Sequence, residues 1–415
     1  MEPVDRQSRR GGLSVNPARP MPAVTIVTPS FNQAEFIRAT IESVLAQDYP
    51  RVEYIVMDGG STDQTSAVVS EYASRLTWIS EKDRGQAHAI NKGFTRARGE
   101  IVAWLNSDDI LLPGAIAKAV DAFASAPKQV GGIYGEGYLM DRKGGISRRF
   151  PDTEPFNLWK LVYLSDYILQ QSTFFRRSAV EDVGWLDESL HYALDWDLLI
   201  RLGKRFGLHY VPEYFGALRE YPEAKSFAGG RERLEEIRSV LGRHTGLKRA
   251  PGYWIYSLHS RRSEWQEARN RSSRSLRWAA NLRYFLLYLA TTGPLLLIQE
   301  RCQGKYTDGW AADRLKWMLP EGTGDVIVRG RIPADFGLAG QMLTVRSGGS
   351  ELGSWPVGPG PFELRFAAPA DMKGPFLFEI RASRYRRSHF SNAMSFRSMA
   401  WIVETIQWAD PDSGV

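Results

Sequence analysis

Cysteine is nearly absent from this 415-residue sequence, which contains only Cys302. A single cysteine forms no intramolecular disulfide and builds no cysteine-based zinc site, so a reducing compartment is the natural expectation. Long hydrophobic runs are also lacking, because no stretch approaches the roughly 18 apolar residues of a membrane-spanning helix. The nearest run, 284–298, is interrupted by the sequence TTGP at 291–294. We therefore expect no transmembrane segment.

Several well-known catalytic motifs are missing too. No Gly-x-Gly-x-x-Gly follows the first β-rich run and no Walker A pattern occurs anywhere, which disfavours dinucleotide-dependent dehydrogenases and P-loop NTPases. The six histidines are not accompanied by a Gly-x-Ser-x-Gly sequence, so no hydrolase triad is visible.

What is present is the composition of a soluble globular protein, with 43% hydrophobic and 24% charged residues. The length predicts two or three domains of about 100–200 residues each. Residues 1–22 carry four arginines and four prolines without an apolar core. They predict a disordered basic tail rather than a signal peptide.

From residue 23 onward, short β-rich runs alternate with helical periodicity. Strands are predicted at 24–28, 53–57, 76–80 and 100–105, and the first helix at 34–46. The spacing of Asn32 and Glu35 is that of a helix N-cap and its partner. This alternation predicts a doubly wound, mostly parallel α/β sheet over residues 23–246.

The next region, 247–320, is predicted to be a basic helical linker. The segment from Arg243 to Arg283 contains ten arginines or lysines and only two glutamates, whereas the whole chain carries a net charge of only +6. Tryptophans among the arginines favour an anionic membrane surface, and 284–298 could enter one leaflet. The alternative is that the tryptophans pack this segment against the first domain.

After residue 320 the spacing of apolar residues changes to the alternation typical of short strands. These strands are predicted at 325–329, 343–346, 362–366, 376–380 and 401–404. The sequence SGGS at 347–350 is typical of a hairpin turn. We predict an all-β sandwich over 321–410. Its aromatic residues could bind glycan or could simply form its core.

Acidic and polar side chains follow four successive predicted strands. They are Ser30 to Asn32, Asp58, Asp83 and the pair Asp108–Asp109. Ligands of open α/β sheets bind beyond the carboxyl ends of the strands, so these side chains predict one acidic crevice. Oxygen ligands without a Cys or His cluster favour Mg2+ or Mn2+ over zinc. For each acid taken alone, the alternative is a turn or helix-cap role.

Taken together, four motifs resemble the inverting family 2 glycosyltransferases, which have the GT-A fold. They are TPSFN at 28–32, MDGGSTD at 57–63, DRGQAHAINKG at 83–93 and WLNSDD at 104–109. QQSTFFR at 170–176 and LDWD at 194–197 resemble the acceptor-side segments of that family. The resemblance covers residues 23–245 and says nothing about the C-terminal part of the chain.

The resemblance implies a role for each matching residue. A nucleotide-sugar donor, most simply a UDP-sugar, would lie against Pro29, Ser30, Phe31, Asn32, Asp58, Asp83, Arg84, Gly85, His88, Asn106 and Asp108. Asp108 and Asp109 would form the metal-binding DxD-type motif for Mg2+ or Mn2+, and Asp195 would be the catalytic base. Gln170, Gln171 and Trp196 would face the acceptor. As a lone histidine, His88 is more often structural, and both glutamines could instead satisfy a strand end.

Two positions depart from the family pattern. Gly59 stands where the family often has a second acid, and Leu194 stands where it often has a glutamate before the base. The implied function is metal-dependent inverting sugar transfer to a glycan or lipid-linked acceptor in bacterial polysaccharide or cell-envelope synthesis. The implied location is the cytoplasm or the inner face of its membrane. The alternatives are a non-catalytic sugar-binding protein on the same fold and a sugar nucleotidyltransferase.

Overall fold

The computed structural model describes residues 21–225, 229–271, 278–286, 303, 310–334, 338, 340–389 and 396–409. The predicted basic tail at 1–22 lies almost entirely outside these residues. Most of the apolar run 284–298 lies outside them as well.

A nine-stranded mixed sheet forms the N-terminal part. Its strands are β1 (Val24–Ser30), β2 (Val52–Asp58), β3 (Thr77–Ser80), β4 (Ile101–Trp104), β5 (Ile110–Leu111), β6 (Gly132–Met140), β7 (Ile146–Arg149), β8 (Thr173–Arg176) and β9 (Leu208–Arg219). Their order is β3-β2-β1-β4-β8-β6-β9-β5, with β7 paired to β6. β1 to β4, β6 and β9 run in one direction, while β5, β7 and β8 are antiparallel to their neighbours. Six strands therefore end at the same edge.

Helices cover both faces of this sheet. They are α1 (Ile37–Leu45), α2 (Thr65–Ser70), α3 (Gln86–Arg96), α4 (Ala115–Ser125), α5 (Leu158–Tyr163), α6 (Arg177–Asp182) and α7 (Leu194–Arg205), with a 3-10 turn at Gln170–Ser172 before β8. One apolar core contains residues of α3, α5 and α7, and the other contains residues of α1 and α4. Every residue of β1 is buried, which explains the continuous apolar pattern that predicts it.

The start of the first helix differs from the prediction. α1 begins at Ile37, and Asn32 does not cap it. Instead, the side-chain oxygen of Asn32 accepts a hydrogen bond from Thr62 N at 2.8 Å. Glu35 pairs with Arg142 at 2.7 Å rather than with the helix start. Both side chains are engaged by distant loops, and a local capping pattern cannot anticipate such contacts.

The basic middle of the chain is helical where it is described. α8 (Gly230–Thr245) and α9 (Pro251–Arg271) are followed by a further helical stretch at 278–286. Within the described part of the chain, no helix combines the length and the apolar character that crossing a membrane requires.

The C-terminal part consists of antiparallel sheets. Its strands are β10 (Trp310–Ala311), β11 (Arg314–Leu319), β12 (Asp325–Ile332), β13 (Gln341–Ser347), β14 (Ser350–Val357), β15 (Gly360–Ala367), β16 (Phe376–Ala382), β17 (Arg386–His389), β18 (Phe396–Met399) and β19 (Trp401–Trp408). Two four-stranded sheets, β10-β19-β12-β15 and β11-β16-β13-β14, share an apolar core, and β17 pairs with β18. The fold-class prediction, an α/β domain followed by an all-β one, is confirmed.

Strands begin at Trp310, eleven residues earlier than the boundary predicted at 321. In β11, Arg314 and Lys316 are exposed whereas Leu315 and Trp317 are buried, an alternation that identifies a strand. The prediction extended the basic helical segment too far because this strand carries two positive charges on its solvent face. The turn at 347–350 is a hairpin as predicted, with positive φ angles at Gly348 and Gly349.

Gly93 allows α3 to lie directly on β1. A Cβ atom at this position would lie 2.4 Å from Cγ1 and 2.9 Å from Cγ2 of the buried Val27. We expect Gly93→Ala to lower the free energy of unfolding by about 1–3 kcal/mol, because overpacking forces the helix away from the strand. Chemical denaturation followed by circular dichroism measures this change. Gly242→Ala is the matched control, because a Cβ there meets only Leu247 O at 3.4 Å; an equal loss in both variants would contradict the packing argument.

Candidate active site

Three strand ends lie side by side at the edge where the parallel strands finish. Ser30 on β1 is in register with Asp58 on β2, which is in register with Ser80 on β3. The buried Asp58 carboxylate accepts hydrogen bonds from Ser80 Oγ at 2.5 Å and from the hydroxyl of Ser61. Ser30 Oγ is buried as well, and among the described residues it has no hydrogen-bond partner. An unpartnered hydroxyl at a strand end is a place where a ligand is expected.

The loop after β1 is fixed to the loop after β2. Asn32 has a φ of 53° and donates its backbone N–H to Ser61 Oγ at 2.8 Å. Phe31, the residue before it, is 58% exposed, while Pro29 is buried in β1. An exposed aromatic ring on a rigid loop provides a flat surface for stacking. The predicted donor residues of this segment are therefore adjacent to Asp58.

The position of the Asp83 carboxylate explains why residue 59 is a glycine. A Cβ at this position would lie 2.6 Å from Oδ2 of Asp83, so the carboxylate of Asp83 occupies the space that a side chain would need. Asp83 Oδ1 in turn accepts the Gly85 N–H at 2.8 Å. Because residue 59 is glycine and not the second acid of the family pattern, the carboxylate of Asp83, which follows β3, lies against the end of β2.

Gly85 begins α3 with a φ of 122°. Next to it, the Arg84 N–H donates to Nδ1 of His88 at 3.1 Å, and the Arg84 guanidinium is paired with Glu188. His88 thus holds the loop that carries Asp83 and Arg84. This local contact accounts for His88 without a ligand.

Asp108 and Asp109 have different surroundings. Asp109 is 1% exposed, and its carboxylate accepts hydrogen bonds from Arg219 N at 2.9 Å and Gln171 Nε2 at 2.6 Å. Burial, and then the charge of Asp108, raise the pKa of Asp109 well above its usual value. Asp108 accepts a hydrogen bond from Tyr221 Oη at 2.7 Å, and burial raises its pKa as well. Asp109 is therefore fixed by segments that lie far away in the chain, whereas the less buried Asp108 is oriented by Tyr221.

The two glutamines predicted to face the acceptor lie under this loop. Gln170 and Gln171 are each 6% exposed. Gln170 Nε2 donates to Trp104 O at 2.8 Å, and Gln171 donates to Asp109 as above. Asn106 contributes a hydrogen bond to Asp109 Oδ2 at 3.1 Å. These amides hold the Asp108–Asp109 loop in place.

A chain of hydrogen bonds leads from this loop to a lysine that the sequence analysis did not single out. Gln86 Nε2 donates to Asn106 Oδ1 at 2.7 Å, and Lys225 Nζ donates to Gln86 Oε1 at 2.7 Å. Burial lowers the pKa of Lys225 to about 8, while the nearby charges of Asp195 and Glu236 oppose that shift. Lys225 therefore lies between the loop of Asp108 and the predicted base.

Asp195 lies in the first turn of α7, and its Oδ1 accepts the N–H of Trp196 at 2.8 Å. Burial raises its pKa, opposed by that N–H and by the charges of Arg233 and Lys225. Asp166, which the sequence analysis also missed, is its neighbour. Burial, followed by the charge of Asp195, raises the pKa of Asp166 well above the usual value. Two carboxyl groups with raised pKa values therefore lie together at the start of α7.

Glu236 on α8 positions the segment before Asp195. Its carboxylate accepts three backbone N–H groups, from His191 at 2.8 Å, Tyr192 at 2.6 Å and Ala193 at 2.6 Å. A negative charge at this point also suits the N-terminus of α7. A glutamate forty residues downstream, without a surrounding motif, offers no sequence signal for this role.

Trp196 does not reach the cleft. Its side chain is 2% exposed, packs in the core and donates its indole N–H to Leu161 O at 2.8 Å. The prediction placed it on the acceptor side because LDWD at 194–197 resembles an acceptor-side segment of the family. On a helix, however, consecutive residues point in different directions, so the neighbour of a cleft residue is commonly a core residue.

The side chains around Asp108 fit a hard divalent cation only if a bound ligand supplies further oxygen atoms. No group of three or more His, Cys, Asp or Glu side chains in the described ranges is arranged to hold a metal ion. One carboxylate completed by phosphate oxygens and water is a common arrangement for Mg2+. The residues present therefore fit a cation that arrives with a diphosphate.

The sequence of this chain is similar to those of several known proteins. The profile of the family described as Glycosyl transferase family 2 matches residues 25–184. An uncharacterized glycosyltransferase of Mycobacterium tuberculosis is 36% identical over 184 residues, which cover 43% of this chain and 68% of the relative. The O-antigen biosynthesis protein RfbC of Myxococcus xanthus is 30% identical over 211 residues, which cover 49% of this chain and 15% of that protein.

Two solved structures resemble the chain more distantly. The mannosyltransferase PcManGT of Pyrobaculum calidifontis, in complex with GDP-Man and Mn2+, has 20% identity and a TM-score of 0.44, covering 67% of this chain and 83% of the other. S. aureus TarS 1-349 in complex with UDP-GlcNAc has 15% identity and a TM-score of 0.42, covering 69% and 93%. At these scores no conclusion about function follows from the structures.

The sequence similarity is sufficient by itself to assign the chain to a family. The mycobacterial relative exceeds 30% identity over more than two thirds of its length, and the family profile covers the strands whose ends carry Ser30, Asp58, Asp83 and Asp108. The chain belongs to family 2 of the glycosyltransferases and is an enzyme of that family.

Proposed function

We propose that the chain is a metal-dependent inverting glycosyltransferase that uses a nucleotide-diphosphate sugar, specifically a UDP-sugar. The observation that carries this proposal is the placement of two unlike carboxylates around Lys225. Asp108 adjoins the donor edge of the sheet, and Asp195 lies in a partly buried pair with Asp166. Lys225 connects them through Gln86 and through its charge.

The donor end of the proposed site is the edge formed by β1, β2 and β3. The nucleobase of the donor would stack on the exposed Phe31, and the hydroxyl of Ser30 would gain the hydrogen-bond partner that it lacks. Asp58 holds this edge together and Asp83 closes it above Gly59. These contacts support binding of a nucleotide but do not select one sugar.

Asp108 would hold the Mg2+ or Mn2+ ion together with the diphosphate. Such an ion supplies positive charge to the departing phosphate oxygens. Asp109 keeps the loop in place through the amides of Gln171 and Asn106 and is not needed as a direct ligand. Tyr221 orients Asp108 with its hydroxyl.

Asp195 would accept the proton of the acceptor hydroxyl. The acceptor oxygen forms the new bond to the anomeric carbon while the bond from that carbon to the diphosphate oxygen breaks, and the electron pair leaves with the diphosphate. Attack from the face opposite the leaving group inverts the anomeric configuration. Asp166 lies beside Asp195, and burial together with the charge of Asp195 raises the pKa of Asp166.

The acceptor in this proposal is a glycan or a lipid-linked sugar in bacterial polysaccharide or cell-envelope synthesis. The relationship to an O-antigen biosynthesis protein supports this class. We place the enzyme in the cytoplasm at the inner face of the membrane, in keeping with its single cysteine. A sugar nucleotidyltransferase would share the donor edge, but its chemistry would not require a carboxylate at Asp195.

Nucleotide binding is expected to depend on a divalent ion and on Asp108. In thermal-shift measurements, UDP or a UDP-sugar with Mn2+ or Mg2+ should raise the melting temperature, and EDTA should abolish the rise. A ligand at 100 times its Kd adds about 2.7 kcal/mol of stability, which is easily measured. Asp108→Asn should lose the metal-dependent part, whereas the exposed Asp121→Asn on α4 serves as the control. Stabilisation that survives both EDTA and Asp108→Asn would remove the metal from the proposal.

Asp195→Asn is expected to lower the rate of sugar transfer by about 10²–10⁴-fold, because the variant cannot accept a proton. The thermal shift produced by the nucleotide should stay as in the wild type, which separates chemistry from donor binding. In the wild type the base must be ionised, and its pKa is raised. The value of kcat/KM should therefore fall as the pH drops through a midpoint above the usual aspartate value. Sugar transfer by the variant at the wild-type rate would show that Asp195 is not the base, whereas nucleotidyl transfer that survives the substitution would favour the nucleotidyltransferase.

Glu236→Gln is expected to lower the free energy of unfolding by about 1–3 kcal/mol, because an amide cannot accept all three N–H groups and turns a donor toward one of them. Denaturant titration measures the loss. The adjacent Glu235→Gln is the control, since Glu235 is exposed and pairs only at the surface with Arg238. Equal stability of the two variants would show that Glu236 does not hold the segment before Asp195.

A further inference from the structure

The helical stretch at 278–286 presents an apolar stripe to solvent. Trp278 is 70% exposed, Leu282 49%, Phe285 55% and Leu286 55%. These positions are spaced at i, i+4, i+7 and i+8, so the four side chains lie on one face of the helix. Large apolar side chains of a soluble domain are rarely left together in water, and a contiguous set marks a contact surface.

Positive charge is concentrated in the same part of the sequence as this stripe. Arg283 is exposed within the stretch itself, and Arg261 is exposed on α9. Two further indoles on α9, those of Trp254 and Trp265, are 43% and 40% exposed. The segment from Arg243 to Arg283 has eight more basic than acidic residues, so the excess of positive charge and the exposed aromatic rings occupy the same part of the chain.

The beginning of α9 is joined to the helix that carries Asp195. Tyr256 contacts Trp196 with ring centroids 5.3 Å apart, and Ile255 is buried in the same core. Gly252 lies so close to α5 that a Cβ there would be 2.4 Å from Leu164 O. The basic element therefore starts at the acceptor side of the site rather than at the donor edge.

We propose that α9 and the stretch at 278–286 form a docking surface for an anionic phospholipid bilayer. The stripe would enter the boundary between headgroups and acyl chains, and the arginines would contact lipid phosphates. A second copy of this chain is a poorer occupant, because pairing this segment with itself would bring two strongly positive surfaces together. A nucleic acid would satisfy the arginines but would leave the aliphatic side chains of Leu282 and Leu286 unburied.

The docking surface is independent of the proposed chemistry, and vesicle flotation of the full chain tests it. The wild type should float with vesicles that contain phosphatidylglycerol and should stay in solution with phosphatidylcholine alone. The variant Trp278→Ser/Leu282→Ser/Phe285→Ser should bind at least about tenfold more weakly, because three side chains lose their apolar burial. Asp195→Asn should float like the wild type, so a failure of the catalytic proposal would leave this result unchanged.

Two further variants complete the test. Met342→Ser/Leu377→Ser removes apolar side chains of similar exposure, 36% and 40%, from the C-terminal sheets and should float normally. Arg261→Gln/Arg283→Gln should weaken binding and reduce its dependence on salt. The proposal is overturned if the wild type does not float, if it floats equally with neutral vesicles, or if both charge and stripe variants float unchanged. It is also overturned if light scattering finds a dimer that only the stripe variant dissociates, since the stripe would then be an interface between copies.

Discussion

The carboxylate of Asp109 lies buried where four chain segments meet, and its hydrogen bonds align the edge of the sheet on which the site is built. Arg219 N from β9, Gln171 from the turn before β8 and Asn106 from the loop after β4 all donate to it. The hydroxyl of Thr40 on α1 donates to its backbone oxygen at 2.7 Å. A buried carboxyl is costly unless it is satisfied, so these segments can adopt few other arrangements.

The same physical device occurs twice. Burial raises the pKa of both members of two acidic pairs, Asp108 with Asp109 and Asp166 with Asp195, and the charge of the neighbouring carboxyl group adds to the shift of Asp109 and of Asp166. Burial in low dielectric separates the pKa values of neighbouring carboxyl groups. One acid of each pair can then serve structure while its neighbour remains available for charge chemistry. Lys225 lies close enough to Asp195 for their opposite charges to interact, and its hydrogen bond to Gln86 leads to the loop of Asp108.

The segments that follow residue 184, where the family-2 match ends, contact the helix that carries Asp195. Glu236 on α8 fixes the approach to Asp195, and Tyr256 on α9 packs on the tryptophan next to it. The C-terminal sheets are joined through Arg205, which pairs with Glu321 at 2.8 Å. Met318 of β11 lies within the core that contains α7. Helix α7, which carries the proposed base, therefore contacts both the basic helices and the C-terminal part of the chain.

The amino-acid sequence by itself determined the first four strands of the α/β part and their alternation with helices, the strand ends that carry Ser30, Asp58 and Asp83, and the family. These properties depend on local periodicity and on short motifs, which are contiguous in the chain. Five of the ten described strands of the C-terminal sheets and the turn at 347–350 were predictable for the same reason. β11 was missed because its solvent face is basic, and Asn32 does not cap α1 because a distant loop engages its side chain.

Only the tertiary structure decided which side chains face the cleft. Trp196 is next to Asp195 in sequence but lies in the core, whereas Lys225 and Asp166 lie thirty residues away from Asp195 in either direction and beside it in space. The assignment of Asp109 to the scaffold likewise required the positions of Arg219 and Gln171. Burial and electrostatic coupling are properties of packed neighbours, and residues far apart in the chain supply those neighbours.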